Sequence, residues 1–161
     1  MCNAKSSVFI SYSWDSDEHQ DWVRKLADSL ESDEHFHVLW DGYDLDSFTD
    51  KNQYMEQAVF NSDYIIVVGT KEYKDKADGR HGGVGIETYL SAIAHWKSLE
   101  NDHKTKIILV LREPGSEPNY LQGHINIRFL DDNKYYESLD ELKRTLKGTK
   151  LIKRPEKKRN N

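Results

Sequence analysis

Residues 64–68 read Tyr64-Ile65-Ile66-Val67-Val68, an apolar run with no polar alternate. A strand with one wet face alternates apolar and polar residues; one covered on both faces does not. This run therefore predicts a strand in the middle of a sheet with helices packed on each side. The same character returns at 106–111 (KIILVL). Upstream, 7–13 (SVFISYS) and 36–40 (FHVLW) read as two further strands. Downstream, Ile125, Ile127 and Phe129 alternate with Asn126 and Arg128, which predicts a half-exposed edge strand.

The stretches between these strands carry helical spacing. Trp22, Val23, Leu26, Ala27 and Leu30 share one face of a helix capped by Asp17 or a neighbour. Met55, Ala58 and Val59 point inward from a short helix over 53–61. Ile86, Tyr89, Leu90, Ile93 and Ala94 predict a helix from near Gly85 to near Leu99, and Tyr136, Leu139, Leu142 and Leu146 a final one. Residues 41–50 (DGYDLDSFTD) read as an acidic loop, 71–81 as a charged irregular connection, and 114–123 as a proline-bearing loop.

Such alternation of strand and helix implies an α/β fold: a five-stranded parallel sheet in the order 2-1-3-4-5 with helices on both faces. Ligands of such sheets bind beyond the carboxyl ends of the strands, where the order reverses between strands 1 and 3. The segments after strands 1, 2 and 3 must meet there. Ser11, Tyr12, Ser13, Trp14, Asp41, Tyr43 and Phe48 are thus expected to wall a crevice. Facing it is Glu87, in the segment RHGGVGIE (80–87). Gly82, Gly83 and Gly85 leave the backbone open to close approach. Glu87 falls in the first turn of its helix, where free N–H groups and the helix dipole favour an ionised carboxylate. By local sequence alone it reads first as an ordinary first-turn acid, and only the rest of the chain points further. Asp41 also reads as a strand-end turn residue, and Ser11 and Ser13 as side chains packed against the next helix.

Composition narrows the classes. One domain fills 1–146, with no repeat or internal boundary; 147–161 hold seven Lys/Arg against one acid and read as a flexible tail or linker. The net charge is −5, so outside that tail the chain is acidic, a poor surface for nucleic acid. No apolar run approaches about 18 residues and no signal-peptide pattern opens the chain, which argues against a membrane partner. The single Cys2 excludes a disulfide framework and fits a cytoplasmic protein. A phosphoacceptor receiver needs an acid closing strand 3 and a lysine closing strand 5; Gly69-Thr70 and Phe129-Leu130 stand there. No phosphate-binding loop occurs, and Gly83-Val84-Gly85 lies too far along the chain for a dinucleotide fingerprint. The acids of 41–50 miss calcium-loop spacing, and His35 with His37 lack a third ligand, so no metal site is expected.

VFISYSWDSDEHQDWVRKLADSLE, VLWDGYDLD, SDYIIVVGT and GGVGIE together resemble the Toll/interleukin-1 receptor (TIR) domain family, and are similar to its bacterial members bordering the SEFIR domains. The resemblance spans about residues 6–146. It implies a flavodoxin-like fold. Many bacterial and plant members cleave NAD⁺ and release nicotinamide, often in anti-phage defence; others only assemble through TIR–TIR contacts. In cleaving members the catalytic residue is a glutamate on the helix after strand 3, which Glu87 matches. Residues 41–50 match the mobile loop that gates the pocket and makes assembly contacts, here with Asp44, Leu45 and Phe48. Some cleaving members carry a tryptophan one turn before the glutamate; Gly83 occupies that place, leaving Tyr12, Trp14 or Tyr43 to stack on the substrate. Asp41 and Ser11 are placed to hold ribose hydroxyls.

The resemblance thus implies an NAD⁺ glycohydrolase with NAD⁺ as substrate rather than cofactor, yielding ADP-ribose or a cyclic form. It further implies head-to-tail assembly with other TIR domains and control by a sensor domain or protein. The alternative is a non-enzymatic module that recruits TIR or SEFIR partners. A flavin or nucleotide carrier would need a phosphate-binding loop that the chain lacks.

Overall fold

The structure, a computed structural model, describes residues 5–44, 50–79, 106–123, 125–148 and 155. Five parallel strands form one sheet in the order β2-β1-β3-β4-β5. They are β1 (Ser6–Ser11), β2 (Phe36–Leu39), β3 (Tyr64–Gly69), β4 (Lys106–Leu111) and β5 (Asn126–Arg128). The flavodoxin-like order and its switch point between β1 and β3 are as expected. Val8 is in register with Val38 on one side and Tyr64 on the other, so the carboxyl ends of β1, β2 and β3 share one edge.

Both faces of the central strands are covered. Val8, Ile10, Ile66, Val68, Ile108 and Val110 pack beneath α1 (Asp17–Glu31) and the final helix, called α5 (Tyr135–Lys147). The intervening residues Phe9, Ile65, Val67, Leu109 and Leu111 pack on the opposite side with α3 (Lys51–Asn61) and α4 (Lys71–Gly79). This two-sided burial is why the strands show no alternation in sequence. Ser16 caps α1 by accepting the His19 amide at 3.1 Å.

Several expectations are corrected. Residues 71–79 form the helix α4, not an irregular connection. Its inward residues are only Tyr73 and Ala77, one turn apart, and the charged residues between them masked the period. Asp41–Asp44 form a short helical turn, α2, where a loop was expected. In α5 the inward aromatic is Tyr135, wedged against Trp22 and Phe129; Tyr136 is 72% exposed. At the edge strand Ile127 and Phe129 are buried, but Ile125 lies outside the paired residues and is exposed. The predicted 85–99 helix lies outside the described residues.

Two charged contacts close the α1/α5 layer. Arg112 stacks over Trp22 at 4.3 Å while its Nη1 donates to Phe129 O and Asp132 Oδ1. At the opposite edge of the sheet Asp33 accepts from His35 and pairs with Lys143 and Lys147 of α5. On the outer edge of β2, the Val38 amide donates to Glu31 at 2.7 Å, so a carboxylate occupies the free strand edge.

Candidate crevice at the carboxyl edge of the sheet

The candidate site begins where β1 ends. Ser11 and Ser13 are buried, and Tyr12 between them turns to the other side, as alternating strand residues must. Tyr12 Oη donates to Asp41 Oδ1 at 2.8 Å. Asp41 opens α2 and is only 8% exposed. Burial and the neighbouring Asp41 charge both push the Tyr12 phenol well above its ordinary pKa, so it remains a donor.

The hydroxyls on the opposite side form a connected row. Thr70, buried at the end of β3, lies 3.4 Å from Ser13 Oγ and accepts the Tyr73 amide at 3.2 Å, capping α4. Ser13 donates to Asp15. Burial raises the pKa of Asp15, but hydrogen bonds from Glu72, Ser13 and Thr70 outweigh it and hold the carboxyl below its usual range. Glu72 moves the other way, raised first by its hydrogen bond to Asp15 and then by burial. Ser11 Oγ lies 3.3 Å from the hydroxyl of Tyr73, which is fully buried.

Not every expected wall residue points inward. Trp14 is 55% exposed on the rim. Tyr43 reaches away from the β1–β3 edge: its hydroxyl donates to Asp28 of α1 and its ring packs edge-on against Trp40 at 4.9 Å. Asp44 accepts from Tyr54 of α3 at 2.8 Å. Three Tyr–Asp bonds, Tyr12–Asp41, Tyr43–Asp28 and Tyr54–Asp44, thus tether α2 to β1, α1 and α3. Leu45, Phe48, Gly83 and Glu87 lie outside the described residues; of the rest, Ser11 and Ser13 lie on one side of the sheet edge and Tyr12 with Asp41 on the other. Sequence reasoning missed Thr70, Tyr73, Asp15 and Glu72. The signal for the first two was a hydroxyl three residues before a buried aromatic, the spacing of a capped helix start.

Among the described residues no group of His, Cys, Asp and Glu is arranged to hold a metal, and no helix is long and apolar enough to cross a membrane.

A family model described as the TIR domain matches residues 8–143. The chain belongs to the TIR domain family. Its TIR fold is similar to a crystal structure of a prokaryotic SEFIR domain, at 28% identity and a TM-score of 0.69 over 87% of this chain and 97% of that one. It is also similar to the TIR domain of the Toll-related receptor TRR-2 from the lower metazoan Hydra magnipapillata, at 18% identity and a TM-score of 0.61 over 87% and 97% of the two chains. The TIR domains of the activated Roq1 resistosome, which directly recognizes the pathogen effector XopQ, align at 14% identity with a TM-score of 0.50, covering 86% of this chain and 83% of theirs. At these last two identities the likeness is one of fold. No curated protein sequence matches the chain.

Proposed function

We propose that this TIR domain is an NAD⁺ glycohydrolase, active when assembled with further TIR domains. The observation that carries the reading is the polar edge at the carboxyl ends of β1, β2 and β3. Buried Ser11, Ser13, Thr70 and Asp41 line it, at the switch point where this fold takes its ligands. The segment bearing Glu87 follows directly from α4, whose first turn belongs to that edge.

The chemistry suits one carboxylate. Nicotinamide in NAD⁺ is a cationic leaving group and departs without protonation. Cleavage of the C1′–N bond leaves an oxocarbenium-like ribose, which the fixed negative charge of Glu87 stabilises. Water, or an adenine nitrogen of the folded substrate, then captures C1′ and gives ADP-ribose or a cyclic product. Hydroxyls at the crevice edge orient the ribose and Trp14 offers an exposed ring on the rim. The biological setting of the proposal is cytoplasmic immunity against phage, with a sensor domain or protein driving assembly.

A second reading is a non-enzymatic module for homotypic TIR or SEFIR contacts. It is favoured by the 28% identity to the prokaryotic SEFIR domain over nearly that whole domain. Nicotinamide release by concentrated protein, with particle size followed in parallel, separates the two. Assembly with release supports the enzyme; assembly without release supports the module.

A further inference from the structure

We propose that Tyr73 is a positioning residue: its buried hydroxyl is a strut that fixes the end of β1 at Ser11 to the 119–121 turn after β4. The proposal rests on the NAD⁺-cleaving reading for its catalytic consequence, but not for its geometry.

Tyr73 is the largest fully buried side chain among the described residues, and it sits on a helix made mostly of charged residues. Its ring packs in the core layer with Val67, Leu109 and Leu121. Its hydroxyl lies 3.3 Å from Ser11 Oγ and 2.9 Å from Tyr120 Oη. One phenol thereby bridges two elements far apart in sequence, since a hydroxyl can donate to one partner and accept from another. Packing alone would be served by phenylalanine; a buried hydroxyl needs a hydrogen-bond partner, and here it has two. Burial pushes the phenol up to about 12, so it keeps its proton throughout the neutral range.

The rest of α4 is clasped to the same segment. Lys74 Nζ donates to Asp78, to Glu117 O at 2.9 Å and to Asn119 Oδ1, and the Asn119 amide donates to Asp78 Oδ1 at 2.8 Å. Ser116 Oγ donates to Gly69 O at the start of the same junction. The helix leading into the Glu87 segment is therefore held at its head by Thr70, along its length by Lys74 and Asp78, and at its buried face by Tyr73. The clasp fixes the α4 backbone, and the Tyr73 hydroxyl reaches from it to Ser11 at the end of β1. Small misplacement of reacting groups costs rate steeply, so a strut of this kind acts on turnover more than on binding.

The test is Tyr73→Phe, which keeps the ring and removes both bonds, read in two ways. Hydrogen exchange at the amides of Leu121 and Gln122, which close the 119–121 turn, should speed up while the β3 and β4 amides hold. In the assembled enzyme kcat for NAD⁺ should fall roughly tenfold to a hundredfold with KM little changed. Unchanged exchange at those amides, or unchanged kcat in active enzyme, overturns the proposal, because a packing role is preserved in phenylalanine. If the wild-type protein releases no nicotinamide, the enzymatic reading fails on its own and the exchange result alone decides the strut. Should Tyr73→Phe fail to fold, Tyr120→Phe removes the outer bond from a part-buried position and must speed the same amides; no change there overturns the strut equally.

Discussion

The Tyr12 hydroxyl donates to Asp41 Oδ1 at 2.8 Å and joins the end of β1 to the first residue of α2. A carboxylate as buried as Asp41 needs its donors, since leaving one unmade costs about 1–3 kcal/mol. Tyr12→Phe is therefore expected to lower unfolding stability by that amount in urea titration. Asp41→Asn, which keeps an acceptor oxygen, should lose less than Asp41→Ala. Equal losses for the two Asp41 variants would show that the hydrogen bond is not what Asp41 contributes.

Gly42 sits under the Trp40 indole, and a β-carbon added there would overlap the ring. Gly42→Ala must push Trp40 aside and break its edge contact with Tyr43. The expected result is a shifted tryptophan emission spectrum and a loss of about 1–3 kcal/mol, the usual cost of overpacking. An unchanged spectrum and melting curve would mean that the indole has room to move.

Sheet and helices differed in legibility for physical reasons. β3 and β4 announced themselves because burial on both faces permits no polar residue between Ile65 and Val68 or between Ile107 and Leu111. α1 was equally plain, since five apolar residues keep one face. α4 escaped because Tyr73 and Ala77 alone carry its buried face. Tyr135 and Tyr136 are adjacent, and only the spacing 135, 139, 142, 146 chooses between them. At the site, the switch-point rule brought Ser11, Ser13 and Asp41 to one edge, but no pattern in sequence shows that Tyr43 turns to Asp28. That partner is a helix surface residue, reached only once α1 and α2 are packed.

Asp33 anchors the turn before β2 to α5. Burial raises its pKa, but the His35 amide and ring and the Lys147 ammonium overcome this and hold the carboxyl far below its ordinary value. A depressed carboxylate contributes stability above its unfolded pKa of about 4, and loses it as pH falls toward the folded value. The stability gap between wild type and Asp33→Asn should therefore be steady from neutral pH to about pH 5 and shrink below about pH 4. Salt should narrow it, since the lysines are partly exposed. A gap that widens on acidification would contradict the assignment.

Arg112 places its guanidinium over the Trp22 ring, while its Nη1 donates to both Phe129 O and Asp132. A lysine keeps the charge but not the plane or the fork. Arg112→Lys is expected to cost about 1–2 kcal/mol, most of it the lost stacking and the Phe129 bond. Thermal melting indistinguishable from wild type would assign Arg112 to the surface rather than to the α1 layer.

Assembly carries its own expectation. Tyr43 and Asp44 anchor the entry to residues 45–49, which bear Leu45 and Phe48, apolar groups in an otherwise acidic stretch. Specific activity should rise steeply with protein concentration; if about 1% of free molecules are competent, assembly can raise it up to ~100-fold. Phe48→Ala should reduce particle size and activity together. Lost activity at unchanged size would move Phe48 from the contact into the pocket.

The most direct measurement is nicotinamide release from NAD⁺ by concentrated, assembled wild-type protein beside Glu87→Gln, with circular dichroism on both. Release by the wild type, and its loss in a variant of unchanged spectrum, is the predicted result: as a first-turn charge alone Glu87 is worth only about 0.3–1 kcal/mol of stability. Release by Glu87→Gln near the wild-type rate, or none from an assembled wild type, would contradict it.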